Sequence, residues 1–290
     1  MARFLAVMLV AVSGHVASAL AADTVASRRD VPIGGYQFPP YVEMDIGGGP
    51  ATGLIIDTIA VLNAAQDRWN FVFVPTTPAR RYQDYAAGRF DLLLFEKMAW
   101  GWSAAGIVME TSRTIAEDGD VYIARAEPGR DESWFDDIAS RRIAAILGYN
   151  YRFADFQNDP TELRKRFDIA LVNDTAAVIA LVLRGRVDTG VVTKSHLERY
   201  LQQHPDDRER VLVSARFDQT NDLKVLGRPG TTPSADTVFG LLADLQRQGR
   251  LAPLWQAYGL APMPLDKGGQ TPTPTPPVVP PSPAAAPAPR

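Results

Sequence analysis

Between residues 31 and 260 the apolar positions fall into two rhythms: short unbroken runs, and stretches that repeat every three to four residues. A first strand is predicted over 31–36, followed by a loop of Phe38, Pro39, Pro40 and Tyr41. A turn of glycines at 47–49 precedes a helix over 54–65, in which Leu54, Ile55, Thr58, Ile59 and Leu62 share one face. Residues 71–75 read as a short strand. Pro78 opens a helix to Ala87, because a proline in the first turn lacks only an N–H that would go unbonded there. Gly88 ends it, and the run over 90–95 is apolar enough for a strand buried on both faces.

The second half repeats the alternation. A helix is predicted over 134–140, a strand over 142–147, Gly148 as the turn, and another helix from about Tyr151. Residues 169–172 form a strand, Asp174 is placed to cap a helix over 175–184, Gly185 stops it, and 187–192 is the next strand. A helix over 196–203, an extended stretch over 210–217, a strand over 223–226 and two helices over 235–248 and 252–258 complete the pattern. Strand and helix in alternation mark an α/β protein with largely parallel pairing.

Both ends depart from this rhythm. Residues 1–22 carry Arg3, an apolar run from Phe4 to Val12, and small residues ending Ala19, Leu20, Ala21, Ala22, the layout of a secretory signal peptide. The apolar run is too short to anchor in a bilayer. From Gly268 to Arg290 nine of 23 residues are proline, a composition that cannot bury enough surface to offset its ordering and so reads as an extended, solvated tail, taken here from residue 263.

Composition narrows the chemistry. With no cysteine in 290 residues, disulfides, thiolate metal sites, cysteine nucleophiles and a lipid-modified N-terminal cysteine are all excluded. A formal charge of −3 gives no basic footprint for nucleic acid. Of 30 cationic residues 25 are arginine, which suits carboxylate or phosphate recognition wherever one faces inward. The spacing of Gly47, Gly49 and Gly53 fits no dinucleotide fingerprint, and Gly101, Ser103 and Gly106 miss the nucleophile elbow by one position. His196 and His204 read as solvated. No catalytic set, metal or cofactor is expected.

Three stretches carry a resemblance. Phe38, Pro39, Pro40 and Tyr41, followed by Gly53, Leu54 and Asp57, resemble the aromatic-Pro-aromatic and Gly-aliphatic-x-x-Asp opening of the extracytoplasmic solute-binding proteins of family 3. Gly88 to Asp91 and Gly185 to Asp188 are similar to that family's helix-to-strand junctions, one in each lobe. The resemblance implies a two-lobed type II periplasmic-binding fold with two crossing segments and a central ligand cleft. Lobe one would comprise 28–122 and 222–262, lobe two 126–217, with crossings near 123–125 and 217–221. Loops at strand ends and helix N-termini then present N–H groups to a cleft that hinge closure seals.

On that geometry the expected ligand contacts are Phe38, Tyr41, Arg80, Glu96, Trp100 and Trp102 from lobe one, with Tyr149, Asn150, Thr175 and Thr193 from lobe two. Arg80 is the expected anion clamp, and its neighbour Arg81, about 100° further round the helix, is expected in solvent. The family's carboxylate-clamping Thr-x-x-Arg is absent after residue 95, and the strand of lobe two ends at Thr193 without the family's aspartate, so no standard amino acid is expected as ligand. The resemblance implies a monomeric periplasmic protein that captures a small polar solute for an inner-membrane ABC permease. The alternatives are a ligand sensor of the same fold and, less favoured, a lyase. Without a lipid anchor, retention calls for a Gram-negative periplasm.

Overall fold

A computed structural model describes residues 28–44 and 47–265. The expected signal segment and the expected tail beyond residue 265 lie outside the described residues. In chain order the elements are β1 (Arg29–Gly35), α1 (Leu54–Ala65), β2 (Trp69–Pro75), α2 (Arg81–Ala86), β3 (Leu92–Glu96), β4 (Glu110–Arg125), β5 (Ile143–Ile146), α3 (Pro160–Arg166), β6 (Ile169–Val172), α4 (Thr175–Leu183), β7 (Thr189–Thr193), α5 (Lys194–Gln203), β8 (Val211–Gly227), α6 (Ala235–Arg247) and α7 (Leu251–Ala257). The strands pair in the order β2-β1-β3-β8-β4-β7-β5-β6.

The outer strands of each half run parallel, as the alternation requires, while the centre is antiparallel. β4 and β8 pair from Glu110 opposite Gly227 to Arg125 opposite Val211, a ribbon about 50 Å long at the usual rise per residue. The sequence predicts neither strand at this length. β8 joins the two extended stretches predicted over 210–217 and 223–226 through the polar residues between them, and β4 was not predicted at all. Breaks in register at Thr111/Thr114, Thr114/Ala116 and Asp120/Val121 disturb the alternation by which such a strand is read.

Packing along this ribbon divides the core. Ile115, Ala116, Leu223 and Val225 pack with α1, β1, α6 and α7 in one cluster. Beyond Asp120 the side chains alternate faces, Val121 and Ile123 packing toward α4 and α5, Tyr122 and Ala124 toward Phe135, Ile138 and Leu163. Over 117–120 the packing of β4 thus passes from the first cluster to the other two. Gly119 is required there, because a Cβ would lie 2.4 Å from the Phe217 ring and 2.8 Å from the Gln219 carbonyl.

Two helices differ from prediction for capping reasons. The helix expected over 134–140 is two short 3-10 turns, since the carboxylates of Asp131 and Asp137 each accept from a backbone N–H, at Ser133 and Ser140, and restart the chain. The helix expected from Tyr151 is one 3-10 turn ended by left-handed Asp155 and Phe156, and α3 begins only at Pro160 under an Asp159 cap.

Candidate functional site

Where the two halves meet at the ribbon, Tyr36, Phe38, Arg81, Trp100, Asp120, Tyr149, Asn150 and Gln219 enclose a cavity of about 20 Å³. That is room for about one water molecule and far below the ~300–1,000 Å³ of small-molecule sites, so a solute needs the lobes further apart than they stand here. Phe38 sits edge-on to Trp100 and to Tyr149, with centroids 5.3 and 5.8 Å apart. Tyr149 belongs to lobe two, yet its hydroxyl donates to the Gln37 carbonyl at 2.7 Å, closing lobe two onto the first-strand loop. Gly148, at φ 79°, permits that approach, its missing Cβ lying 3.2 Å from Pro78.

The positive group of the cavity is Arg81, 1% exposed, whereas Arg80 has a side chain 68% exposed and lies 3.9 Å from Asp84. This reverses the expected order of the two. α2 begins at Arg81, not at Pro78, and its buried face is Arg81, Asp84 and Tyr85, an i, i+3, i+4 set that points Arg80 outward. The guanidinium lies 4.7 Å over the rings of Tyr36 and Tyr82 and 5.8 Å from that of Trp102. Its Nη2 donates to the Trp100 carbonyl at 2.6 Å and, with the Asn150 amide turned to satisfy both its ends, to Asn150 Oδ1 at 3.2 Å. Its Nε is buried with no hydrogen-bond partner, and among the described residues Arg81 makes no ion pair.

Glu96 lies behind this group. Its carboxylate accepts from the Tyr36 hydroxyl at 2.9 Å and from Trp102 Nε1 at 3.2 Å. Burial raises its pKa and the charge of Arg81 opposes that rise. Phe95, left-handed at φ 55°, makes the bulge that turns both Phe95 and Glu96 inward. Such a backbone costs on the order of 1–3 kcal/mol for a residue this bulky.

The negative group is Asp120. It accepts from Thr193 Oγ1 (3.0 Å), Gln219 Nε2 (3.0 Å) and Asn221 Nδ2 (3.4 Å), all neutral donors. Burial pushes its pKa up to about 7, and Asp118 and Asp218 push in the same direction. Gln219 also donates to the Asn150 carbonyl at 2.8 Å and accepts from Trp100 Nε1 at 3.3 Å, so one amide ties both lobes to the crossing strand.

Of the residues singled out from sequence, Phe38, Trp100, Tyr149 and Asn150 come together at the cavity. Tyr41 stacks beneath Phe38 at 4.6 Å and donates to Asp118 at 2.7 Å, while Trp102 and Glu96 sit behind Arg81. Thr193 touches the site through Asp120, and Thr175 is buried at the start of α4, whose cap is Asp174 accepting from Ala177 N–H. Tyr36, Arg81, Asp120 and Gln219 were missed. His196 is not solvated as expected: it is half-buried and its pKa is pushed down to about 4 by burial and by Arg199. Among the described residues no group of three or more His, Cys, Asp or Glu is placed to hold a metal.

No protein-family model matches the chain, and no curated protein does. Solved structures do. The substrate-binding protein of an amino acid ABC transporter shares 18% identity at a TM-score of 0.58, over 79% of this chain and 98% of its own. An ancestral amino acid-binding protein, a precursor of cyclohexadienyl dehydratase, shares 19% at 0.60, over 79% and 95%. A histidine kinase sensor domain similar to periplasmic binding proteins shares 15% at 0.58, over 81% and 98%. Among the described residues no helix is long and apolar enough to cross a membrane. The chain has the two-lobed type II periplasmic-binding fold of the amino-acid-binding proteins, with its cavity at the junction of the lobes.

Proposed function

We propose that this protein is a periplasmic binding protein that closes its two lobes on a small zwitterionic solute and delivers it to an inner-membrane ABC permease. One observation carries the reading: a single aromatic cavity contains a buried guanidinium and a buried carboxylate, neither of which has an ion-pair partner among the described residues. Burying either charge unpaired is costly, so the arrangement favours a ligand that brings an anion to Arg81 and a cation to Asp120. The family's clamp positions are empty in sequence, but charges of the same two signs reach the cavity from α2 and β4, which restores amino acids and their analogues as candidates. Phe38, Trp100, Tyr36 and Tyr149 form its apolar walls, and Tyr149 and Asn150 of lobe two complete it only when the lobes meet.

The test is a thermal-shift screen of small zwitterions, carboxylates and cations against the wild type and Arg81→Gln. A ligand that binds only the folded state raises the melting temperature by mass action. Zwitterions are expected to raise it in the wild type and not in the variant, and silence across the panel would overturn the reading. Loss of uptake of the identified solute on deletion assigns the permease; uptake left intact with a lost response assigns a sensor, the role to which the kinase sensor domain of the same fold points.

A further inference from the structure

Asp120 does not stand alone at the lobe junction. Asp118, two residues earlier on β4, accepts from Tyr41 Oη of lobe one (2.7 Å) and from Ser195 Oγ of α5 (2.5 Å). Asp218, at the irregularity where β8 carries one residue more than β4, accepts from Tyr122 Oη (2.6 Å) and from the N–H groups of Arg152 and Phe153 (both 2.9 Å). Two buried carboxylates, Asp120 and Asp218, and the half-buried Asp118 thus share one stretch of the crossing strands, each held by neutral donors. The other titratable groups around Asp120 are Tyr149 and Tyr151 after β5, Tyr41 from the first-strand loop, Arg81 across the cavity, and Lys97 after β3. Of the two cations, Arg81 bonds the Trp100 carbonyl and Lys97 Nζ bonds the Thr220 carbonyl (2.6 Å), so neither neutralises Asp120 by contact.

Resting on the solute-binding reading, we propose that capture is coupled to loss of a proton from Asp120, so that the protein holds its solute at neutral pH and releases it as its surroundings acidify. Asp120 is the carboxyl of the three that lines the cavity, and its burial, together with its like-charged neighbours, favours the protonated form. Thr193 Oγ1 can turn from donor to acceptor, so the proton costs no hydrogen bond. When the solute's ammonium group is enclosed against Asp120, the O–H bond breaks, the proton leaves to water, and the carboxylate gains the counter-charge that the fold does not supply. Below the midpoint of Asp120 each unit of pH then weakens capture up to tenfold, provided that the solute's own groups do not titrate in that range.

The test has an arm that needs no ligand. Carboxyl carbon NMR of the empty protein is expected to show one aspartate titrating near pH 7, absent from Asp120→Asn and retained, with a lower midpoint, in Asp118→Asn. If no carboxyl titrates above pH 5.5, or if the signal persists in Asp120→Asn, the proposal is overturned. In the second arm the twenty standard L-amino acids are tested by thermal shift at pH 5.5 and 7.5. Binding that is at least tenfold weaker at pH 5.5, with the dependence lost in Asp120→Asn, supports the coupling. Equal affinity at both pH values overturns it while leaving the solute-binding reading intact. A titrating Asp120 with no amino acid bound at either pH removes the capture step from the proposal and counts against that reading.

Discussion

Arg81 and Asp120 line one cavity, and each is buried without an ion pair among the described residues, yet their surroundings differ in kind. Arg81 is boxed by the rings of Tyr36, Tyr82 and Trp102, two of which donate to the carboxylate of Glu96, so its charge is offset at one remove through polarised aromatic groups. Among the described residues Asp120 has only neutral donors and, beyond them, two further acids. The guanidinium therefore keeps its charge at every working pH, whereas the carboxyl sits where modest changes in its surroundings decide its state. One wall is a fixed charge and the other is adjustable.

The sharpest way to break this comparison is at Asp120. Its pKa in the folded chain, about 7, lies above the ordinary carboxyl value of 3.8, so between those values the native state binds more protons than the unfolded chain. Stability from this group is thus highest at acid pH, falls as pH climbs from about 4 to about 7, and stays at the lower level above. Asp120→Asn removes that slope. At pH 8 the variant is expected to be more stable than the wild type, by up to about 4 kcal/mol for a shift of this size, read from denaturant melts at several pH values. Parallel pH profiles for the two proteins would contradict the assignment. Under the proposed function, that cost is the ordinary compromise between stability and binding.

Next in size is the other wall. Arg81→Gln is expected to weaken solute binding by about 3 kcal/mol, on the order of 100-fold, as for truncation of one member of a buried charge pair. Arg80→Gln, changed at an exposed side chain, should alter it less than threefold in calorimetry. Equal effects would return the clamp to the outer arginine.

How much of this was legible beforehand depends on which physical signal each residue carries. α1 and β6 match their predicted bounds because their apolar periods are uninterrupted and Gly53 and Asp174 punctuate them. Phe38, Trp100, Tyr149 and Asn150 were nameable because they sit in loops at strand ends, where aromatic and amide side chains stand out. Asp120 was not, since Glu117, Asp118, Gly119 and Asp120 carry no apolar position from which a buried strand could be read. Only the pairing with β8 places that polar stretch inside. Arg81 was misjudged through helix phase: starting α2 three residues later moves the buried face from Arg80 to Arg81, and the i+4 partner Tyr85 was the available clue.

Two smaller effects refine the comparison. Glu96→Gln leaves one of its two donors, Tyr36 Oη or Trp102 Nε1, facing an amide N–H, and strips Arg81 of its nearest compensating charge. A loss of about 2 kcal/mol in denaturant unfolding is expected, and no loss would mean that the carboxyl is already protonated. Smallest is Arg199→Ala, which removes the bridge to Glu43 across the lobes (3.1 Å). Both side chains are about a third exposed, so the change should stay below about 1 kcal/mol and diminish with salt.

The pairing of one ligand charge with each wall is tested most directly by derivatives of a single solute. For the amino acid that gives the largest thermal shift, affinity is measured beside its carboxamide, which lacks the anion, and its N-acetyl form, which lacks the cation. Both derivatives are expected to lose binding, the carboxamide penalty shrinking in Arg81→Gln and the N-acetyl penalty shrinking in Asp120→Asn. A derivative that binds as tightly as its parent, or penalties that both variants leave unchanged, would contradict a cleft built around Arg81 and Asp120.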